Sequence, residues 1–192
     1  MTASTRRLPT LVSPTLLREL GSTFFASRVT GERWRGYIPL EDLGASVLHQ
    51  RRLNLSTLSA LPGSAFRVTT SVEGVDRWTA GQVVDHIVTV QRQVSLPVIR
   101  ALSVTGCDFI QPVDPIAPMS LCRDDAIDVL VLATEELDLS LADVPWDDPC
   151  DCIVEHRFFG TLDLRAALLL LALHELDHGD QLQAMTNRAI AN

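Results

Sequence analysis

Lysine is absent from this sequence, and arginine supplies all 16 of its basic residues. Acidic residues number 24, so the formal net charge is −8 at pH 7. A protein that binds nucleic acid neutralises phosphates with a clustered basic face. The arginines form no such stripe along the chain, and we therefore expect no nucleic-acid partner.

Long apolar runs are also absent. The longest, residues 166–173, has eight residues, and a transmembrane helix needs about 20. Prolines and charged residues interrupt the stretch after Arg6 and Arg7, where a signal peptide would have its apolar core. The sequence thus predicts a cytoplasmic protein without a membrane partner.

Cysteine is scarce, with four residues in a chain of 192. This number is too small for a disulfide framework in a chain of that length, so we expect reduced thiols. Cys150 and Cys152 are separated by one residue, but no second pair exists that would complete a four-ligand zinc site. We interpret both as ordinary loop thiols.

Aromatic residues make up only 5% of the chain and hydrophobic residues 46%, a balance that suits helices better than a β-sandwich. Residues 41–192 show helical apolar periodicity and no repeated strand pattern, which predicts an all-α domain, an up-and-down four-helix bundle. Residues 1–40 are interpreted as an N-terminal extension that packs on the bundle or on a dimer partner. The expected helix caps are Ser13, Thr79 in a capping box with Gln82, Ser120 and Thr161.

The last helix carries the most informative segment, HELDH at residues 174–178, directly after the apolar run. Residues four apart lie about 40° from each other around a helix. His174 and His178 therefore point the same way, and Gln181 continues that face. Two imidazoles on the buried face of an apolar helix are costly unless something satisfies them. A divalent metal ion is the simplest shared partner.

The same segment matches the H-E-x-x-H motif of zinc proteases, in which two histidines hold zinc and the glutamate is the general base. Those enzymes take a third ligand further along the chain. Only 14 residues follow His178, and they contain no histidine and no glutamate. Glu175 also points about 100° away from His174, toward a neighbouring helix or solvent. The sequence argues against a protease.

The third ligand is instead sought upstream, at His86. This residue lies on a mostly apolar helical face, and by itself it would be interpreted as a core histidine bonded to a backbone carbonyl. It is the only remaining histidine on such a face. His49 has polar neighbours and His156 lies in a connection, so both are interpreted as surface residues.

Two motifs then resemble helix signatures of the DinB/YfiT-like superfamily. The first is the pair Trp78-Thr79, separated by six residues from His86, and the second is H-x-x-x-H-G-x-Q from His174 to Gln181. The resemblance extends from about residue 43 to the C-terminus. It implies a four-helix bundle, often dimeric, that binds one divalent metal through three histidines or through two histidines and a carboxylate. Carried over to this chain, the implied ligands are His86, His174 and His178, and the implied metal is zinc or nickel, with iron as a further option.

Three protein ligands leave a coordination position for water or substrate, as in catalytic metal sites. Some similar proteins are thiol-dependent transferases, so the leading hypothesis is an S-transferase that joins a low-molecular-weight thiol to a small electrophile. A metal-dependent hydrolase and a non-catalytic metal-binding stress-response protein are the alternatives. Asp177 and Asp85 are candidates for holding an imidazole N–H, although Asp85 is better explained as a solvated carboxylate. Gln181 would contact substrate or bond within the core.

Overall fold

The computed structural model describes residues 8–30, 38–67, 69, 78–103, 117–146, 152–157 and 159–191. The prediction of an all-α fold is confirmed, whereas the up-and-down order of the helices stays a prediction. A 3₁₀ turn at Gly63–Arg67 follows the second helix, and one π-helical turn at Gln91–Ser95 joins the third helix to the fourth. The helices are α1 (Pro14–Thr30), α2 (Leu40–Ala60), α3 (Ala80–Val90), α4 (Leu96–Ser103), α5 (Arg123–Ala142) and α6 (Leu164–Ala191).

Two of the predicted helix caps are confirmed. Ser13 Oγ accepts a hydrogen bond from Leu16 N at 3.2 Å, at the start of α1. Thr79 and Gln82 form the capping box before α3, with Gln82 N donating to Thr79 Oγ1 at 3.3 Å and Thr79 N donating to Gln82 Oε1 at 3.0 Å. Side-chain acceptors thus satisfy backbone donors that a helix N-terminus leaves unpaired.

The predicted cap of α5 at Ser120 is wrong, because Cys122 occupies the N-cap position. The chain before it lies against Gly81 at the start of α3. A Cβ atom at Gly81 would be only 2.1 Å from the backbone oxygen of Leu121. This close approach keeps the segment extended for two residues beyond Ser120, and the helix begins afterwards.

The predicted cap of α6 at Thr161 is also wrong. Thr161 lies in a β-hairpin of two short antiparallel strands, β1 (Val154–His156) and β2 (Gly160–Leu162). It pairs with Glu155 there, and its hydroxyl donates to Glu155 Oε1 at 2.6 Å. Asp163 caps the helix instead, accepting from Ala166 N at 2.7 Å.

The centre of the bundle is α6, which packs against α1, α2, α3 and α4. Its N-terminal half contributes to one apolar cluster with α1 and α4, and its C-terminal half to a second cluster with α3. On α2, in the π-helical turn and on α6, buried polar side chains occur near the point where the chain passes from one apolar cluster to the other. We call these residues the polar layer: Arg51 and Asn54 on α2, Gln91 after α3, and Glu175 and His178 on α6.

The described part of the N-terminal extension packs on the bundle. Thr10 N donates to Asp42 Oδ1 at 2.7 Å, and Val12 N donates to Ser46 Oγ at 2.8 Å, so this segment runs along α2. Helix α1 then lies against α6 so closely that a Cβ atom at Gly21 would be 2.5 Å from the side chain of Leu173. Whether the extension also contacts a second subunit stays a prediction.

The prediction of reduced thiols is wrong for Cys152, which is disulfide-bonded. Cys150 lies outside the described residues, so the interpretation of that thiol stays untested. Cys122 is a free, exposed cysteine. Among the helices that the structure describes, none combines the length and apolar character that crossing a bilayer requires.

Candidate metal centre

Three histidines from two helices meet beside the polar layer. His86 is on α3, and His174 and His178 are one turn apart on α6. His174 Nε2 lies 3.3 Å from His86 Nε2 and 3.2 Å from His178 Nε2. One ring nitrogen from each residue lies within 4.8 Å of the others. The structure therefore brings together the three residues that sequence analysis selected.

The spacing of these nitrogens fits a single cation. Zinc binds imidazole nitrogen at about 2.0–2.1 Å, which places two ligands of a tetrahedral site roughly 3.4 Å apart. The two measured separations at His174 are close to that value. Each neutral imidazole has only one N–H, so protons alone would satisfy the converging nitrogens only in part. Three imidazoles suit zinc, nickel, copper or iron.

Burial keeps two of the rings in the form that binds metals. Burial lowers the pKa of His174 well below its usual value, and the positive charges of His178, His86 and Arg51 lower it further. Burial also lowers the pKa of His178, opposed in part by its hydrogen bond to Gln181. Both imidazoles are therefore neutral at pH 7, and the neutral ring is the one that coordinates a metal.

Gln181 orients one of these rings. His178 Nδ1 lies 3.1 Å from Gln181 Oε1. An amide oxygen only accepts hydrogen bonds, so Nδ1 carries the ring proton and Nε2 keeps the lone pair that faces His174. Trp78 packs over the same group, with its ring centroid 4.6 Å from that of His86 and 6.2 Å from that of His178.

The two aspartates considered in sequence analysis do not hold an imidazole among the described residues. Asp177 lies on the exposed side of α6 and makes no hydrogen bond to a histidine ring there. Asp85 Oδ2 accepts a hydrogen bond from Met119 N at 2.8 Å, which ties α3 to the segment before α5. Of the three candidates, the structure brings only Gln181 to a histidine ring.

Glu175, the glutamate of the H-E-x-x-H match, is held by a buried network. Arg51 Nε and Nη2 donate to its carboxylate oxygens at 2.8 and 2.5 Å, and Arg51 Nη1 donates to Gln91 Oε1 at 2.6 Å. Gln91 Nε2 in turn donates to Ala133 O at 2.7 Å, and Asn54 Nδ2 donates to Glu175 O at 2.8 Å. The carboxylate is fully buried and paired, so it is not placed to act as a general base.

Arg51 was counted only among the polar neighbours of His49 in the sequence, and Asn54 was given no role there. His49 is indeed exposed, as predicted. A signal for the other two was present, because they continue the apolar stripe of α2 between Val47 and Leu58, at helical spacings of four, three and four residues. An arginine at such a position requires a buried partner.

A cavity of about 90 Å³ adjoins the three histidines through His174, which forms part of its wall. The end of α3, the π-helical turn, α4, α6 and the β-hairpin supply the rest of the wall. The polar lining residues are Ser95, His156 and His174, and the other lining residues are apolar. His174 therefore belongs both to the histidine cluster and to an apolar space large enough for part of a small molecule.

His156 is buried in this wall, so its interpretation as a surface residue was wrong. The β-hairpin folds its ring inward, where its centroid lies 4.7 Å from that of Phe159. Its Nδ1 accepts a hydrogen bond from Phe159 N at 3.3 Å. Burial lowers the pKa of His156, so the ring is neutral at pH 7. No periodic pattern in the sequence marks a residue that a three-residue strand turns inward.

Comparison with known families agrees with this geometry. A sequence model of the DinB superfamily matches residues 28–182. The chain belongs to the DinB superfamily. The match confirms the resemblance seen in the two motifs, and it begins at residue 28, inside α1, rather than near residue 43. No curated protein matches the chain. Membership in the superfamily makes this a DinB-like, metal-binding type of protein, with three histidines that could hold the ion.

Proposed function

We propose that this protein is a metal-dependent S-transferase that joins a low-molecular-weight thiol to a small, largely apolar electrophile. The observation that carries the proposal is the convergence of three imidazole nitrogens beside an apolar cavity. His86, His174 and His178 would hold the divalent cation. A cation bound by three protein ligands supplies an open coordination position and Lewis acidity, which lowers the pKa of a thiol or water that it binds.

The protein's own side chains prepare the site in two ways. Gln181 fixes the tautomer of His178, and Trp78 packs on His86 and limits its motion. The apolar wall beside His174 would hold the body of the electrophile and exclude water from it. Gln181 and Trp78 would thus hold the histidines in place, and the apolar wall would position the electrophile and keep water from it.

A thiol nucleophile is favoured over water because the site offers no carboxylate base among the described residues. Glu175 is paired with Arg51, and Asp177 is turned toward solvent. A free thiol ionises near pH 8.5, whereas water has a pKa of about 15.7. Less assistance is therefore needed to generate a thiolate at neutral pH, and hydrolysis is the second candidate.

Metal analysis tests the ligand set. The purified protein is expected to retain about one equivalent of a divalent metal in dialysis, because three preorganised imidazoles converge. His86→Ala should lose most of it, and His49→Ala, which removes the exposed histidine of α2, should retain it. Mass spectrometry measures the metal content of the unaltered protein and of the two variants. Full retention of metal by the His86→Ala variant would contradict the proposed site.

A conjugation assay then tests the reaction. The metal-loaded protein is incubated with several small thiols and an apolar electrophile, and loss of free thiol is followed against the His86→Ala variant. Thiol consumption that depends on His86 supports the transferase. Hydrolysis of esters without thiol consumption would favour the hydrolase, and tight metal binding without either reaction would favour the stress-response role.

A further inference from the structure

The cavity beside His174 contains a hydrogen-bond donor that the described residues leave unsatisfied. His174 Nε2 faces the other two imidazoles, whereas its Nδ1 is buried and has no hydrogen-bond partner among the described residues. If Nε2 coordinates a metal, Nδ1 carries the ring proton. Ligand histidines ordinarily donate that proton to a carboxylate, a carbonyl or water, and here His174 instead lines a cavity.

His156 supplies a second donor to the same space. Its Nδ1 accepts the backbone N–H of Phe159, so the proton of the neutral ring lies on Nε2. Phe159 packs against the face of the ring and fixes its direction. Two imidazole N–H groups, from α6 and from the β-hairpin, thus belong to one wall whose other polar lining residue is Ser95.

The lining carries no formal charge. It contains no arginine, aspartate or glutamate among the described residues, and burial lowers the pKa of His156, which keeps that ring neutral. The nearby guanidinium of Arg51 is hydrogen-bonded to Glu175 and Gln91, and its charge is paired with that of the carboxylate. An anionic ligand would therefore be desolvated without a counter-charge, which is costly.

We propose that this cavity binds an uncharged, apolar carbonyl compound whose oxygen accepts hydrogen bonds from His174 Nδ1 and His156 Nε2. The cavity and the His156 donor do not depend on a metal, whereas the proton on His174 Nδ1 and the identification of the ligand as the electrophile rest on the proposed function. A carbonyl oxygen has two lone pairs and can accept from both rings at once. His156 is then a residue that determines specificity for the substrate.

The size of the cavity restricts the ligand further. An engineered apolar cavity of about 150 Å³ holds one benzene molecule, and this cavity has about 90 Å³. On that scale it accommodates roughly four non-hydrogen atoms. A small ketone or aldehyde fits, and a larger substrate would place only its carbonyl end here.

The experiment is a titration of the full-length protein, labelled with ¹⁵N at histidine, with 2-butanone as an unreactive probe. It is done with zinc added and again with zinc removed, and the imidazole signals are followed by NMR. Saturable shifts are expected at His156 and His174, and none at the exposed His49. 2-Methyl-1-butene replaces the carbonyl oxygen by CH₂, and butyrate adds a negative charge. Both are expected to bind at least about tenfold more weakly, the alkene because a lost hydrogen bond to a buried donor costs about that factor, and butyrate because its charge would be desolvated without a counter-charge.

Two variants locate the site. His156→Phe keeps a ring of similar size without a donor and should weaken 2-butanone binding about tenfold, while the matched control His49→Phe should leave it unchanged. Ala167→Leu adds bulk to the wall and should abolish binding while zinc binding persists. If His156→Phe does not fold, the comparison of 2-butanone with its alkene isostere in the unaltered protein still decides.

The absence of a saturable shift, equal binding of the alkene, or tighter binding of butyrate would overturn the inference. These results are separable from a failure of the proposed function. If the protein binds 2-butanone but takes up no metal, only the proposed transferase function is contradicted. If the zinc-loaded protein transfers thiols but does not bind 2-butanone, only the proposed carbonyl-binding site is contradicted.

Discussion

His174 and Glu175 are adjacent in the sequence but belong to two polar clusters with opposite properties. Glu175 is fully buried and accepts hydrogen bonds from Arg51 on both carboxylate oxygens. His174 is neutral, and its ring nitrogens face either other imidazoles or a cavity without a protein acceptor. One cluster is complete within the protein, and the other becomes complete only when something binds.

The complete cluster around Glu175 stabilises the arrangement of the helices near the histidines. A satisfied network of buried polar groups ties helices together in one arrangement, and this one joins α2, α5 and α6 at the level of the histidines. The bundle can therefore keep three desolvated imidazoles converging without help from the cation. A substitution in one cluster should therefore leave the other in place, and a similar ion pair at the surface should contribute least.

Breaking the charged cluster should have the largest effect. Arg51→Met leaves Glu175 buried without its partner, and we expect the free energy of unfolding to fall by about 3–5 kcal/mol. Urea unfolding followed by circular dichroism measures it. The double variant Arg51→Met with Glu175→Leu should recover much of that loss, because no charge is left unpaired. A loss below about 1 kcal/mol for the single variant would show that the pair does not hold the helices.

Removing Gln181 tests the incomplete cluster. Gln181→Leu takes away the acceptor that orients His178, and losses of about 10–100-fold in metal affinity follow removal of such partners. Competition with a chelating dye measures the affinity. Asp177→Asn, four residues earlier and exposed, is the control and should change affinity less than about threefold. Equal effects of the two substitutions would mean that the Gln181 hydrogen bond plays no part.

Acid should destabilise the metal-free protein through the histidines. They titrate near pH 6.5 in the unfolded chain, and burial lowers the pKa of His174 and of His178 in the folded one. Between these pKa values the unfolded state binds more protons. The free energy of unfolding should therefore be level above about pH 7 and fall below about pH 6.5, by up to about 1.4 kcal/mol per pH unit for each histidine.

Urea unfolding from pH 5 to 8 in the presence of a chelator measures that slope. His174→Leu should flatten it and His49→Leu should not, since His49 is exposed. An identical slope in all three proteins would assign the acid sensitivity to other groups.

The smallest effect is expected at the surface. Arg92 and Glu136 form an exposed pair with two hydrogen bonds of 2.8 and 2.7 Å, and the hydrogen bond to Arg92 lowers the pKa of Glu136. Geometry of this kind matches the pair of Arg51 and Glu175, but water screens it. Glu136→Gln should change the free energy of unfolding by less than about 1 kcal/mol, as judged by the urea midpoint. A loss of unfolding free energy comparable to that of Arg51→Met would show that burial does not determine how much such a pair contributes to stability.

Much of the helical architecture and the pairing of His174 with His178 could be predicted from local spacing, whereas His86 was added to the pair through the resemblance to the superfamily. Caps at Ser13 and Thr79 were predicted correctly because they depend on bonds within three residues. The caps at Ser120 and Thr161 were not, because a contact with Gly81 and the pairing of a hairpin displaced them. His156 was likewise misjudged, since its burial comes from the packing of that hairpin.

The order and spacing of residues by themselves determined an all-α chain, a pair of imidazoles on one face of its last helix, and a third imidazole on an earlier helix. Periodicity is a property of neighbouring residues and can be seen before folding. Only the tertiary structure decided that Glu175 belongs to Arg51 rather than to a reaction, and that His174 shares a cavity with His156. Partners 124 residues apart are chosen by helix packing and desolvation, which no local pattern records.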